Sequence, residues 1–295
     1  MPHILKNNNL EINIDLPEEN YNFSRFDWTG KISKVCFKGI LVSTIERTDD
    51  VNEHNFGKAF YNEFGIDTAL GFQEAPIGGW FHKIGVGLLK KKSKNYNFFE
   101  KYEIKPAHFE INSESDKINI KCISESISGY SYVLIKTISL LKDAFNVEYS
   151  LQNTGSKNIV TDEYIHNFTA IDNELIGLNY VLKFPFNLKP ELFSAAVNKE
   201  GKVEVKETEI KFKSTPKEQF FFSNLSGNNE EAAKWELINL KSKIVMSEEA
   251  SFRTSKINLW GWQHVISPEL FYSIELKPGQ IEKWSRKYTI HSLEK

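Results

Sequence analysis

Apolar and polar residues alternate along most of this chain with the two-residue period of half-buried strands. Phe145, Val147, Tyr149 and Leu151 alternate with Asn146, Glu148 and Ser150, and Asn153-Thr154-Gly155 ends that run with turn residues. Ile118, Ile120 and Cys122 alternate with Asn119 and Lys121, while Val203 and Val205, then Ile210 and Phe212, repeat the pattern among Lys and Glu. Ile274 and Leu276 alternate with Glu275 and Lys277, and Pro278-Gly279 marks a turn before Ile281, Trp284 and Tyr288. Segments of this kind recur at short spacing from about residue 30 to the end, which predicts an all-β sandwich or barrel.

Helical signals are few: 189–196 and 228–234 are each long enough for a short turn of helix. No internal repeat, low-complexity linker or compositional shift marks a boundary, so residues 1–295 read as one domain with 1–20 as an N-terminal extension. The stretch 56–89 breaks the alternation and carries Gly57, Gly65, Gly71, Gly78, Gly79, Gly85 and Gly87. Glycine at that density implies turns or close backbone approach, and irregular connections on a rigid β scaffold are where binding sites sit.

Composition adds aromatic enrichment, with 22 Phe, 11 Tyr and 6 Trp, which suits broad pleated sheets first and sugar stacking second. With 37 basic and 39 acidic residues interspersed, the chain lacks the charge footprint of a nucleic-acid binder. Lys90-Lys91-Lys92 reads as a solvated turn, and Cys36 and Cys122, both in apolar stretches, read as free thiols. No window approaches the ~20 apolar residues of a spanning helix, and the N-terminus lacks the layout of a signal peptide. A soluble, cytoplasmic protein without a membrane partner is expected, as a monomer or homodimer.

Metal-ligand spacings, a G-x-S-x-G elbow and a phosphate-cradling loop are missing, which leaves acid–base chemistry by His, Glu and Asp without metal or cofactor. His166, in Asp162-Glu163-Tyr164-Ile165-His166-Asn167-Phe168, is the first candidate; a structural histidine at a strand end is the plainer role. Glu269, which Pro268 precedes among apolar neighbours, is a candidate for a partly buried base, against an exposed strand-edge glutamate. Arg25 and Asp27 stand two apart in Ser24-Arg25-Phe26-Asp27-Trp28-Thr29-Gly30; on an extended chain they share a face and can pair with each other or with a ligand.

Four segments, in order, carry a resemblance to the aldose 1-epimerase, or galactose mutarotase-like, superfamily, in a divergent bacterial branch. They are 24–30, Glu63-Phe64-Gly65 with Phe81-His82-Lys83-Ile84-Gly85-Val86-Gly87, His166-Asn167-Phe168, and Leu276-Lys277-Pro278-Gly279-Gln280 with Trp284. The resemblance spans about residues 24 to 290 and implies an antiparallel β-supersandwich with few short helices and a sugar site in a cleft on one sheet. It also implies an aldose 1-epimerase-type isomerase: a glutamate takes the anomeric proton, a histidine protonates the ring oxygen, the ring opens, and closure gives the other anomer. His166 matches the histidine and Glu269 the glutamate. Catalysis on this basis calls for the two to converge across a gap the size of a pyranose.

Mutarotases also carry an Asn-Arg pair and a second histidine where this chain has Gly79-Trp80-Phe81-His82-Lys83. On an alternating segment His82 and Lys83 face opposite sides, and Lys83 is the one expected in the cleft. Arg25 and Lys83 would suit an anionic substituent, such as a uronate or a phosphorylated hexose; an oligosaccharide end is a further substrate class. Asp27, Glu63 and His264 complete the expected sugar contacts, with Glu74 as a further candidate. A carbohydrate-binding module without chemistry, and a polysaccharide lyase or hydrolase, are the competing functions.

Overall fold

The computed structural model describes residues 2–49 and 56–293. Two antiparallel sheets face one another across the main core. The seven-stranded sheet runs in the order His3–Lys6, Leu10–Asp15, Lys31–Phe37, Phe60–Phe64, Ile159–Asn167, Tyr272–Leu276, with Ile40–Leu41 beside Lys31–Phe37. The segment read as an N-terminal extension therefore supplies two strands of this sheet. At the centre of the ten-stranded sheet lie Glu231–Asn239, Ile244–Thr254, Ile281–Ser292, Ala144–Asn153 and Tyr132–Leu140.

The predicted alternation is realised in strands that bury one face: in Ala144–Asn153, Phe145, Val147, Tyr149 and Leu151 are buried while Glu148 is exposed. Aromatic rings join the two sheets, with Phe60 at 5.7 Å from Phe145 and 4.9 Å from Tyr288, and Phe64 at 6.2 Å from Trp284. Their edge-on and tilted geometry suits the ring quadrupoles.

Two smaller sheets flank the seven-stranded one. A three-stranded sheet (Trp80–Lys83, Gly87–Lys90, Ile104–Pro106) holds the glycine-dense region. A four-stranded sheet contains Phe220–Ser223, Ile257–Trp262 and Val265–Leu270 in that order of pairing. Its last strand abuts the end of Ile159–Asn167 through a bridge between Thr169 and Ile266.

The helical expectations fare differently. Within 189–196 one 3-10 turn forms, Pro190–Leu192, whereas 228–234 is a turn leading into the strand Glu231–Asn239. Trp235, Leu237 and the rest of that strand bury an alternating face, a gain that an isolated helical turn cannot match. The lysine run is not uniformly solvated: Lys91 is buried, with Nζ donating to the Phe72 carbonyl at 2.8 Å above the Phe72 ring. Both cysteines are free, Cys122 buried and Cys36 half-buried. Among the described residues no helix is long and apolar enough to cross a membrane.

Candidate active site

Alternation within Ile159–Asn167 divides that strand's side chains between two environments. Glu163 and Asn167 face the ten-stranded sheet, where Glu163 meets Arg286 and Trp284, and Asn167 meets Glu248 and Tyr288. Tyr164 and His166 face the opposite way. On the neighbouring strand Phe60–Phe64, Glu63 sits in register with Tyr164 and shares that outer face.

A buried polar cluster forms there. The Tyr164 hydroxyl donates to Glu63 Oε2 at 2.8 Å, and that hydroxyl oxygen lies 2.5 Å from His166 Nε2. Arg25 reaches the cluster from the loop before the strand Lys31–Phe37. Its guanidinium donates to Glu46 at 2.8 Å, to Glu63 at 3.3 Å, and from Nη2 to His166 Nε2 at 2.9 Å. Lys83 closes the other side, with Nζ at 3.2 Å from Glu63 Oε1 and 2.9 Å from the Tyr96 hydroxyl. The rings of Phe26, Phe98 and Phe99 lie within 5.0 Å of the Arg25 guanidinium carbon, and the His166 ring stacks on Phe168 at 4.9 Å.

Glu269 arrives from the four-stranded sheet. Thr169 and Ile266 exchange backbone hydrogen bonds at 3.1 and 3.0 Å, which seats the strand Val265–Leu270 against the end of the histidine strand. The Glu269 carboxylate then lies 2.9 Å from His166 Nδ1. That contact is close but out of line, so Nδ1 is buried without an aligned hydrogen-bond partner. A guanidinium can only donate, so Nε2 accepts from Arg25 and the imidazole proton belongs on Nδ1, facing Glu269.

Opposite charges in the cluster hold one another ionised. Burial alone would lower the Arg25 guanidinium, but Glu46 and Glu63 hold it well above its ordinary value. Burial alone would likewise raise Glu63, yet Lys83 and Arg25, with the hydrogen bond from Tyr164, hold it below the usual carboxylate range. Lys83 is lowered by burial and raised further by Tyr96 and Glu63, and the net direction is up. Burial, with Glu63 and Glu269 beside it, pushes the Tyr164 hydroxyl far up, so it acts as a neutral donor. Three carboxylates (Glu46, Glu63, Glu269) against two cations leave one negative charge in excess with His166 neutral. Among the described residues no group of three or more His, Cys, Asp or Glu side chains could hold a metal ion.

No protein-family model and no curated protein sequence matches the chain. Solved structures do match. The Slr1438 protein of Synechocystis sp. PCC 6803 superposes with a TM-score of 0.63 at 10% identity, over 99% of this chain and 96% of that one. An aldose 1-epimerase candidate of Escherichia coli K12 gives 0.62 at 9% identity over 99% of each chain. A galactose mutarotase-like protein of Lactobacillus casei ATCC 334 gives 0.58 at 12% identity, over 99% of this chain and all of that one. The chain has the galactose mutarotase-like fold. At these identities the likeness is one of fold.

On this mutarotase-like sandwich the expected contact residues separate into two groups. Arg25, Glu63, Lys83, His166 and Glu269 are brought together. Asp27 is not: it pairs with Lys136 at 2.9 Å and accepts from Thr29, and Arg25 does not touch it. Residues 23–26 form bends and no strand covers 23–29, so a two-residue spacing does not put the two side chains on one face. His264 donates to the Ile45 carbonyl at 3.1 Å and packs on Trp262, outside the cluster. Glu74 is exposed and bound to Tyr130 and Lys157. His82 turns away from Lys83 and sits buried against the Tyr130 carbonyl.

Two further expectations are corrected. His166 and Glu269 meet directly, with no pyranose-sized gap between them. Arg25 and Lys83 are engaged by Glu46 and Glu63, so they offer no surplus charge to an anionic substituent. Sequence reading also missed Glu46, which stands in no recognisable pattern, and Tyr164. The signal for Tyr164 was present: it precedes His166 by two residues on a strand and so shares its face. Glu46 is held by Gly57, whose N–H donates to it at 2.7 Å. A Cβ at Gly57 would meet Phe168 at 2.4 Å, so only glycine lets the backbone come this near.

Proposed function

We propose that the protein is a carbohydrate-active isomerase of the aldose 1-epimerase type, acting on a neutral aldose. The observation that carries this reading is the Glu269 carboxylate beside an unpartnered His166 Nδ1, at 2.9 Å. The two oxygens of an anomeric centre are bonded to the same carbon. Groups that serve them must therefore stand side by side, not across the ring.

Glu269 takes the proton of the anomeric hydroxyl, and His166 donates a hydrogen bond from Nδ1–H to the ring oxygen. As the bond from the anomeric carbon to the ring oxygen breaks, Glu269 returns its proton to that oxygen and the open-chain aldehyde forms. Rotation and the reverse steps give the other anomer, with His166 neutral throughout. Arg25 holds the imidazole in the required tautomer, and Tyr164 and Glu63 hold Arg25. The excess negative charge favours a neutral sugar over a uronate or phosphate.

The direct contact between His166 and Glu269, which a sugar must part, favours a second reading: binding without turnover. Saturation-transfer NMR of anomer exchange separates the two, across a panel of neutral and acidic aldoses. Acceleration for at least one neutral aldose, abolished in His166→Ala and Glu269→Gln, is the expected result. Absence of acceleration for every sugar, with line-broadening that saturates, leaves the binding reading.

A further inference from the structure

The four-stranded sheet carries more than Glu269. In the antiparallel pair Ile257–Trp262 with Val265–Leu270, Asn258 is the register partner of Glu269. Direct partners of this kind project to one face with Cβ atoms about 5 Å apart. Asn258 lines a hollow of about 430 Å³, within the range of small-molecule sites, formed also by Asn224, Asn228, Ser223 and Ser255. Phe221 supplies an aromatic wall, while Phe271 at the floor is covered by the Lys256 ammonium at 4.1 Å. A second route ties the hollow to the site: Phe271 stacks on Tyr164 at 4.3 Å, and Tyr164 touches His166.

The chemistry of the hollow is that of neutral polyol recognition. Its amides and hydroxyls can both donate and accept, and the Phe221 ring can cover a C–H face. Of the charged residues at its edge, Lys256 and Asp67 pair with each other at 3.1 Å. Asn258 is nine-tenths buried; its Oδ1 accepts from the Asn224 N–H at 3.1 Å, while its Nδ2 makes no hydrogen bond among the described residues. That amide donor is not among the buried atoms without a partner; it opens onto the hollow, where a ligand hydroxyl can accept from it.

We propose that this hollow binds the second unit of a neutral reducing oligosaccharide whose free anomeric end lies at His166 and Glu269. The proposal rests on the isomerase reading above, and it makes the natural substrate longer than a monosaccharide.

The test compares glucose and galactose with maltose, cellobiose and lactose, in wild type, Asn258→Ala and Phe221→Ala. At least one disaccharide is expected to exceed its parent monosaccharide in kcat/KM by about fivefold or more, the worth of one ordinary hydrogen bond. Both variants should bring that ratio close to one. Disaccharides no better than monosaccharides in wild type, or a ratio that neither variant moves, would overturn the proposal. Should no sugar be turned over, the isomerase reading falls and binding decides the hollow. Saturation-transfer difference signals stronger for a disaccharide than for its parent, and weakened in both variants, would uphold it; equal signals, or none, would overturn it.

Discussion

Asn167 donates its side-chain amide to the carbonyl of Pro268 at 2.6 Å, so the residue after His166 grips the residue before Glu269. The same amide group is fixed by Glu248 at 2.9 Å and by the Tyr288 hydroxyl, which donates to Oδ1 at 2.9 Å. One buried side chain thus sets the spacing of the candidate catalytic pair from behind the sheet.

Asn167→Asp replaces the amide donor with an acceptor facing the Pro268 carbonyl and Glu248. The two strands should part by a fraction of an ångström, and kcat should fall by about tenfold to a hundredfold. KM should change less. A loss that appears only in thermal stability, with kcat intact, would show that Asn167 supports the fold and not the pair.

The His166 tautomer is open to direct observation. Histidine ¹⁵N correlation spectra should show a protonated Nδ1 and an unprotonated Nε2, because Arg25 donates to Nε2. In Arg25→Gln the side chain can accept as well as donate, and the proton should redistribute toward Nε2. A wild-type spectrum with the proton on Nε2 would refute the donor assignment on which the mechanism depends.

His82 makes stability depend on pH. Burial holds its imidazole down, at about 4 against the ordinary 6.5. Its Nε2–H donates to the Tyr130 carbonyl at 3.2 Å, and Nδ1 is buried with no partner to receive a second proton. The unfolded chain binds that proton more readily, so the contribution is intact above pH 6.5 and lost as pH falls toward 4. The loss amounts to about 3 kcal/mol at most. Urea midpoints measured down this range should fall more steeply in wild type than in His82→Gln; parallel profiles would remove His82 from the account.

Arg286 holds two carboxylates between the main sheets, with Glu248 at 2.6 Å and Glu163 at 2.7 Å, all three fully buried. Arg286→Met leaves two like charges buried without a cation and should destabilise the protein by about 3–5 kcal/mol in denaturant melts. Adding Glu163→Gln and Glu248→Gln removes those charges and should recover part of the loss. A triple variant no more stable than Arg286→Met would assign the effect to lost packing.

Much of the fold was legible because each strand buries one face and exposes the other, which prints a two-residue period into the sequence. The same period carried Tyr164 and His166 together and separated His82 from Lys83. It failed at Arg25 and Asp27, where the chain bends, and at 228–234, where polar turn residues resemble a helix start.

The amino-acid order by itself determined which side chains share a strand face, since that depends only on neighbours along the chain. Only the tertiary structure decided which faces meet. Glu269 stands 103 positions after His166, and their contact exists because one strand of the four-stranded sheet docks on the end of another sheet's strand. Glu46 and Lys83 join the cluster from separate loops and sheets for the same reason. Buried charge must find opposite charge wherever folding brings it, and no local pattern records that partner.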